Sequence, residues 1–522
     1  MSFKKKLWWA QHRTDVYKYS TIILLFLVVT ISIIYFTYSK FTAKNEMTMY
    51  ETTVEPFIKN DYFIASYIDG EWSNEIPSKN DGYGVDKIVC DNGAVGTWDN
   101  DKWAITIENA TKKIKCGVYF KQIYTDNVIA EVPKLAQGMI PVKFDSSGNV
   151  VVANTATKWY DYSNHEWANA VLVNCADSNI KSKYFDSDNK VLASALGETI
   201  SMDEIMQMYV YIPRYKYQLF NAEDGTSVEQ AINITFESKT TAKSMGTKNG
   251  EWLTHPAFTF GDKELAGIWV GKFETSNTKE LPKIVPNVSS LRSLNINTQF
   301  NTSRLMTTTL ASAYGTSTND DSHMMKNMEW GAVAYLSSSI YGRYANASTC
   351  IASGCEVWIN NNSSFTTGCA GTSVSASEAS TCNAWNTATG VNASTTGNIY
   401  GIYDMSGGSW EYVMGNFNDT IKDAGFSSMP EAKYYDKYTG TDSYSDFTKY
   451  HLGDATKETL KAKSSGGNTW YIDSNISVYS PYPWGLRGGL YNDGTYAGLF
   501  NFYSSHGGYV NSNSFRIVLS AL

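Results

Sequence analysis

The chain has 522 residues, a formal net charge of −8, 18% charged and 14% aromatic residues. That length calls for more than one domain, and the composition excludes a disordered chain. No basic block follows Lys18, which excludes nucleic acid as a partner class. Lysine greatly outnumbers arginine, a codon bias that points to a bacterial source.

Residues 1–19 read as a cytoplasmic tail carrying Lys4, Lys5, Lys6, Arg13 and Lys18. Residues 20–38 are uncharged and apolar, long enough to cross a bilayer as one helix. On the far side Lys40 and Lys44 are soon offset by Glu46 and Glu51, so the charge bias puts the N-terminus inside and the bulk of the chain outside. Trp8, Trp9, Tyr17, Tyr19 and Tyr38 suit the two membrane interfaces. The apolar run exceeds a usual signal-peptide core and no A-x-A site follows, so the expected localisation is a single-pass, uncleaved anchor in the cell membrane.

Residues 39–60 read as a polar stalk linker. Residues 61–122 alternate in short runs, among them Lys87–Cys90, Trp103–Ile107 and Cys116–Phe120, broken by Asn, Asp and Gly. The segment Trp98-Asp-Asn-Asp-Lys-Trp103 predicts a hairpin, and the whole a small β-sandwich in which Cys90 and Cys116 bridge two strands. Residues 123–197 predict a second β-unit and linker, with Met139–Phe144 and Val150–Ala153 as strands about a turn. Trp159–Trp167 weakly echoes the Trp-flanked hairpin. From residue 198 a large domain begins. Ser201-x-x-Glu204 predicts a capped helix, Tyr209–Phe220 a strand, and Met325–Leu336 an amphipathic helix with Met325, Met328, Ala332 and Leu336 on one face. Residues 345–397 form a Ser/Thr/Asn/Gly-rich insertion.

Seven cysteines all follow the anchor, which fits an oxidising exterior. Cys350, Cys355, Cys369 and Cys382 allow three pairings, among which the sequence does not choose. Cys175 is left over, either free or paired between chains. No cysteine or histidine spacing matches a zinc site, and no hydrolase, Walker or dinucleotide motif occurs. His506 reads as a lone surface histidine.

The stretch between Gly489 and Phe515 contains no Lys, Glu or Gln and is dominated by Tyr, Asn, Ser, Asp, His and Gly. Such a mixture is paratope chemistry: tyrosine offers broad amphipathic contact at low entropic cost, while Ser, Asn and Gly supply adaptable hydrogen bonds. The candidate ligand-binding residues are Tyr491, Asn492, Asp493, Tyr496, Asn501, Tyr503, Ser504, His506, Tyr509 and Asn511.

Three C-terminal motifs, Gly401-Ile-Tyr-Asp-Met-Ser-Gly-Gly-Ser-Trp-Glu-Tyr412, Leu486-Arg-Gly-Gly489 and Ser514-Phe-Arg-Ile517, resemble the closing signature of the formylglycine-generating-enzyme, or sulfatase-modifying-factor, family. Gly267–Thr275 and Met325–Leu336 resemble an earlier strand and helix of that family. The resemblance covers about residues 205–522 and implies an α+β fold of C-type-lectin type for residues 198–522. The family's enzymes use cysteines close to the C-terminus, whereas here the last one is Cys382, so no catalytic residue is expected. The resemblance makes Trp410 a core filler and Glu411 a buried carboxylate paired with Arg487 or Arg516. Gly488, Gly489, Phe515 and Arg516 complete the structural set. Relatives bind calcium near this motif through an Asn whose place is taken by Gly408. Asp404, Asn416, Asn418 and Asp419 are the oxygen donors left nearby, and no cofactor is expected. The C-terminal stretch also resembles the variable region of diversity-generating-retroelement proteins, which use the same lectin-like frame.

These features point to a membrane-anchored extracellular protein that binds a protein or glycan through its C-terminal face. Two alternatives are an extracellular enzyme whose nucleophile has moved to the cysteines of the insertion, and an inert structural or adhesion component.

Overall fold

The computed structural model describes residues 62–68, 71–77, 83–91, 93–99, 102–108, 114–122, 132–223 and 226–522; the tail, anchor and stalk expected over residues 1–60 lie outside them. Among the described residues no helix is long and apolar enough to cross a membrane. The described residues fall into two compact units, one up to residue 122 and one from residue 132. Both are sheet-rich, with few and short helices.

In the first unit four strands lie in the order Glu71–Ser73, Tyr62–Ile68, Ile114–Gln122 and Tyr83–Cys90. The two central strands are parallel and the outer pairs antiparallel. The Trp-flanked hairpin forms from Val95–Asp99 and Ala104–Glu108. Its Trp98 and Trp103 rings close on Phe120 of the sheet at 5.4 and 6.1 Å between centroids. Cys90 and Cys116 face each other in register and are joined by a disulfide.

The second unit is built on two sheets. The larger runs Asp321–Met324, Ile517–Ser520, Gly267–Gly271, Ile205–Pro213, Asn169–Val173, Ile140–Phe144 and Val150–Val152, antiparallel throughout. Residues 123–197, expected as a separate β-unit, thus supply three of its strands. The reason is Ile205–Pro213, which is buried at every position and needs a partner on each edge. The same demand removes the helix expected at Ser201: Met202–Glu204 is a turn into that strand, and Glu204 instead pairs with Lys183 and Tyr184. The strand expected over Tyr209–Phe220 breaks at Arg214, so Tyr215–Gln218 joins a different, three-stranded sheet. Trp159–Trp167 closes as a tight loop in which Asp161 and Glu166 pair antiparallel about the 3-10 turn Tyr162–Asn164, with both indoles buried.

The smaller sheet orders Asp436–Tyr438, Trp410–Phe417, Trp484–Gly488 and Gly498–Ser505, with Asn513–Phe515 parallel to Trp410–Phe417. The chain therefore leaves this sheet at Phe515 and enters the larger one at Ile517. The helix Asn327–Ser337 lies between the sheets and is buried on every side, not amphipathic as expected. Its Trp330 indole donates to the Leu499 carbonyl at 2.8 Å.

The entrance to that helix carries a buried charge cluster. His323 is fully buried, with Nδ1 2.9 Å from Asp321 and Nε2 2.9 Å from Glu329, and its ring stacks on Phe260. Burial disfavours the imidazolium, but Glu329 and Asp321 outweigh it and raise the His323 pKa to about 9. A folded-state pKa above the unfolded one stabilises fully below pH 6.5, and the gain is lost as pH rises through 9. The shift corresponds to about 3 kcal/mol. The thermal midpoint should fall between pH 6.5 and 9, and His323→Gln should flatten that fall; an unchanged slope in the variant would show that His323 is not the group responsible.

Candidate functional site

The C-terminal motifs form a rigid base. Arg516 sits at the crossover between the sheets. Its guanidinium grips both oxygens of Glu411 in the smaller sheet and donates to the Gly271 carbonyl, in the larger sheet, at 2.8 Å. It also donates to the Tyr403 carbonyl. Burial pushes the Glu411 carboxyl up to about 7, opposed by Arg516. Glu274 lies in the same cluster and accepts from the Ser409 N–H at 2.8 Å. Burial and then the Asp404 and Glu411 charges push its carboxyl well up. Arg487, the other expected partner of Glu411, instead donates to the carbonyls of Ala455 and Leu499. Gly488 and Gly489 have φ of +84° and +83°, and a Cβ on Gly489 would stand 2.7 Å from the Ala497 Cα. Phe515 is fully buried.

Trp410 packs against the edge of the core and does not fill it. It is half-buried, and its ring lies 5.3 Å from that of Tyr503. Beside this pair runs a row of rings: Tyr444 to Tyr479 at 6.1 Å, Tyr479 to Tyr482 at 5.6 Å, and Tyr482 to His506 at 6.4 Å. Tyr444 and Tyr482 are 51% and 42% exposed, so the row faces water. Desolvation raises the Tyr479 pKa, and the neighbouring phenols of Tyr482, Tyr503 and Tyr444 act in the same direction. His506 is not alone: its Nδ1 lies 3.0 Å from Asp423.

The ten residues expected to bind ligand divide by burial. Asn492, Tyr496, Tyr509 and Asn511 are exposed; Tyr491, Tyr503 and His506 are half-buried with part of the ring outward. Asp493 is half-buried and caps its own turn through the Leu490 N–H, and burial pushes its carboxyl up. Asn501 and Ser504 face inward. Asn501 is fully buried and donates to the Tyr496 carbonyl at 2.6 Å, and Ser504 is 6% exposed, so neither presents a surface. Along Gly498–Ser505 the strand alternation turns only Tyr503 appreciably outward. Among the described residues no ring contact ties Tyr496 or Tyr509 to the row. Sequence reasoning missed Tyr444, Tyr479 and Tyr482, although Asp442-Ser-Tyr-Ser445 and Tyr479-Ser-Pro-Tyr482 show the same Tyr/Ser mixture outside the final stretch.

A second cluster adjoins the face. The Arg292 guanidinium lies 3.7 Å over the Phe365 ring, and Phe365 meets Tyr491 edge-on at 4.9 Å. Phe365 belongs to the insertion of residues 345–397, which is ordered and buries Val357, Ile359, Ala370 and Trp385. Its cysteines pair as Cys350–Cys355 and Cys369–Cys382. All four thiols proposed for a relocated nucleophile are thereby consumed. Cys175 is free and buried, so pairing between chains would require it to be uncovered.

Three of the oxygen donors considered for calcium, on Asp404, Asn416 and Asp419, are engaged by other protein groups. Asp404 is buried and accepts from Gly368 N–H and Asn360; Asn416 accepts from Thr420 N–H; Asp419 binds Lys437 and Tyr435. Among the described residues no group of three or more His, Cys, Asp or Glu is placed to hold a metal. No protein-family model matches the chain, and no curated protein matches it.

Proposed function

We propose that the chain is a membrane-anchored extracellular binding protein whose head, residues 198–522 with the strands before it, is a C-type-lectin-like domain of the sulfatase-modifying-factor kind. Residues 20–38 anchor it, with the N-terminus cytoplasmic. The head recognises a protein or glycan noncovalently, with affinity concentrated in a few tyrosines. One observation carries this reading: a water-facing row of Tyr444, Tyr479, Tyr482 and His506, flanked by Tyr503 and Trp410, on a base locked by Arg516. Exposed rings stabilise the fold little, so their clustering on one face is a recognition signature. The disulfides of the insertion weigh against the enzyme alternative.

The full chain in lipid nanodiscs, screened on arrays of glycans and of surface-protein fragments, tests this. Tyr482→Ala with Tyr503→Ala should weaken any captured ligand by about 30-fold or more, the loss expected of a hot-spot residue. The thermal midpoint should stay within about 2 °C, because neither ring is fully buried. Equal binding by the wild type and the double variant would leave the face inert.

A further inference from the structure

We propose that Arg292, laid on Phe365 and bordered by Tyr491 and Asn511, is a subsite for the carboxylate of an acidic sugar. This deepens the binding function above and rests on it.

Arg292 comes from the loop before the helix Ile296–Arg304, Phe365 from the disulfide-bonded insertion, and Tyr491 and Asn511 from the C-terminal stretch. Three distant segments thus converge on one guanidinium. Its Nη1 donates to the Asn511 carbonyl, and its Nη2 reaches the Ser289 hydroxyl only at 3.5 Å. Each Nη has two hydrogens and spends one, and Nε is buried without a partner, so the guanidinium keeps donors to offer a carboxylate. No carboxylate lies within ion-pairing distance of Arg292 among the described residues. The acid nearest in charge is Glu274, which is fully enclosed. Arg292 is therefore a partly desolvated cation with no carboxylate at ion-pairing distance among the described residues, set against the Phe365 and Tyr491 rings.

The insertion holds this arrangement at a conformational cost. Phe365 has φ of +56°, a left-handed conformation that a bulky residue adopts only when its surroundings impose it. Its neighbour Asn362 accepts from Ser364 N–H and Thr366 N–H, and Ser290 N–H donates to the Phe365 carbonyl at 3.0 Å. The ring is thereby fixed beneath the guanidinium and against Tyr491.

Two features favour a sugar acid over a peptide carboxylate. The outer strand Gly498–Ser505 is covered by backbone bonds between Phe502 and Ser474–Ile476, so no open edge is offered there for a peptide to add as a strand. What remains at Arg292 is the rings of Phe365 and Tyr491 and the exposed amides of Asn492 and Asn511. Flat rings pack on the C–H face of a pyranose, and amides pair with its hydroxyls.

The test uses the full chain in nanodiscs against immobilised oligosaccharides ending in glucuronic or N-acetylneuraminic acid, their methyl esters, neutral oligosaccharides, and peptides with free or amidated C-termini. The wild type should bind an acid at least 10-fold tighter than its ester, and Arg292→Gln should abolish that preference. Arg292→Lys, which keeps the charge but not the fork, should restore little of it. Equal binding of acid and ester, or a preference that survives Arg292→Gln with an unchanged thermal midpoint, overturns the subsite. So does discrimination confined to the peptides. Binding of neutral oligosaccharides that depends on Tyr482 and Tyr503 but ignores the carboxylate overturns the subsite and keeps the binding function. Failure of the wild type to bind any probe on either array overturns both.

Discussion

Arg516→Ala is expected to lower the thermal midpoint of the large unit by about 10 °C or to prevent its folding. The substitution removes a guanidinium that is fully buried and holds Glu411 through two donors. Breaking a buried pair from one side costs about 3–5 kcal/mol, because the remaining charge is left unsatisfied. Here the cost is raised by position. Arg516 is the residue at which the chain passes from one sheet to the other, and it also satisfies the carbonyls of Gly271 and Tyr403. With it gone, Glu411, Asp404 and Glu274 share a dry site with no cation between them. The double variant Glu411→Gln/Arg516→Met should be less destabilised than the sum of its single changes, since the orphaned charge is removed with its partner. Strict additivity in denaturation experiments would contradict a direct pair.

Gly331→Ala should destabilise by about 3 kcal/mol, against the sign expected for a helix interior. In an exposed helix, replacing glycine with alanine gains about 1 kcal/mol. Gly331 lies in the middle of Asn327–Ser337, and a Cβ there would run into the Gly453 carbonyl oxygen and stand 2.8 Å from the Asp454 Cα. Both obstacles are backbone, which cannot swing aside, so the added methyl acts as overpacking. The consequence reaches the candidate site. The loop at Gly453–Ala455 receives the Arg487 guanidinium through the Ala455 carbonyl, and Arg487 belongs to the strand that pairs with Tyr503 and its neighbours. Urea denaturation decides the matter: a higher midpoint for Gly331→Ala would refute the close approach.

Local pattern carried some of this and not the rest. The Trp98–Trp103 hairpin, the Cys90–Cys116 bridge and the strands at Met139–Phe144 and Val150–Ala153 depend on neighbours close in sequence and were legible. The capping box at Ser201 was a true local signal that lost to a strand buried on both faces, as tertiary burial outweighs a few tenths of a kcal/mol of propensity. The helix at Asn327–Ser337 was found, but its burial on every side was not, because periodicity reports one apolar face and says nothing of what covers the other.

The sequence by itself determined which residue types the C-terminal stretch presents, and the motif resemblance implied a buried Glu411 paired with Arg487 or Arg516. It also pointed to the Cys90–Cys116 bridge and left the pairing of the four cysteines in the insertion open. Only the tertiary structure decided that the arginine is Arg516, that Asn501 and Ser504 face inward, and that Trp410 is half-buried at the edge of the core beside Tyr503. It alone joined Tyr444, Tyr479 and Tyr482 to His506, and Phe365 to Arg292. The physical reason is separation along the chain. Strand alternation and charge balance act over a few residues. A face is defined by which distant strands pair, and that register is set by burial across the whole sheet.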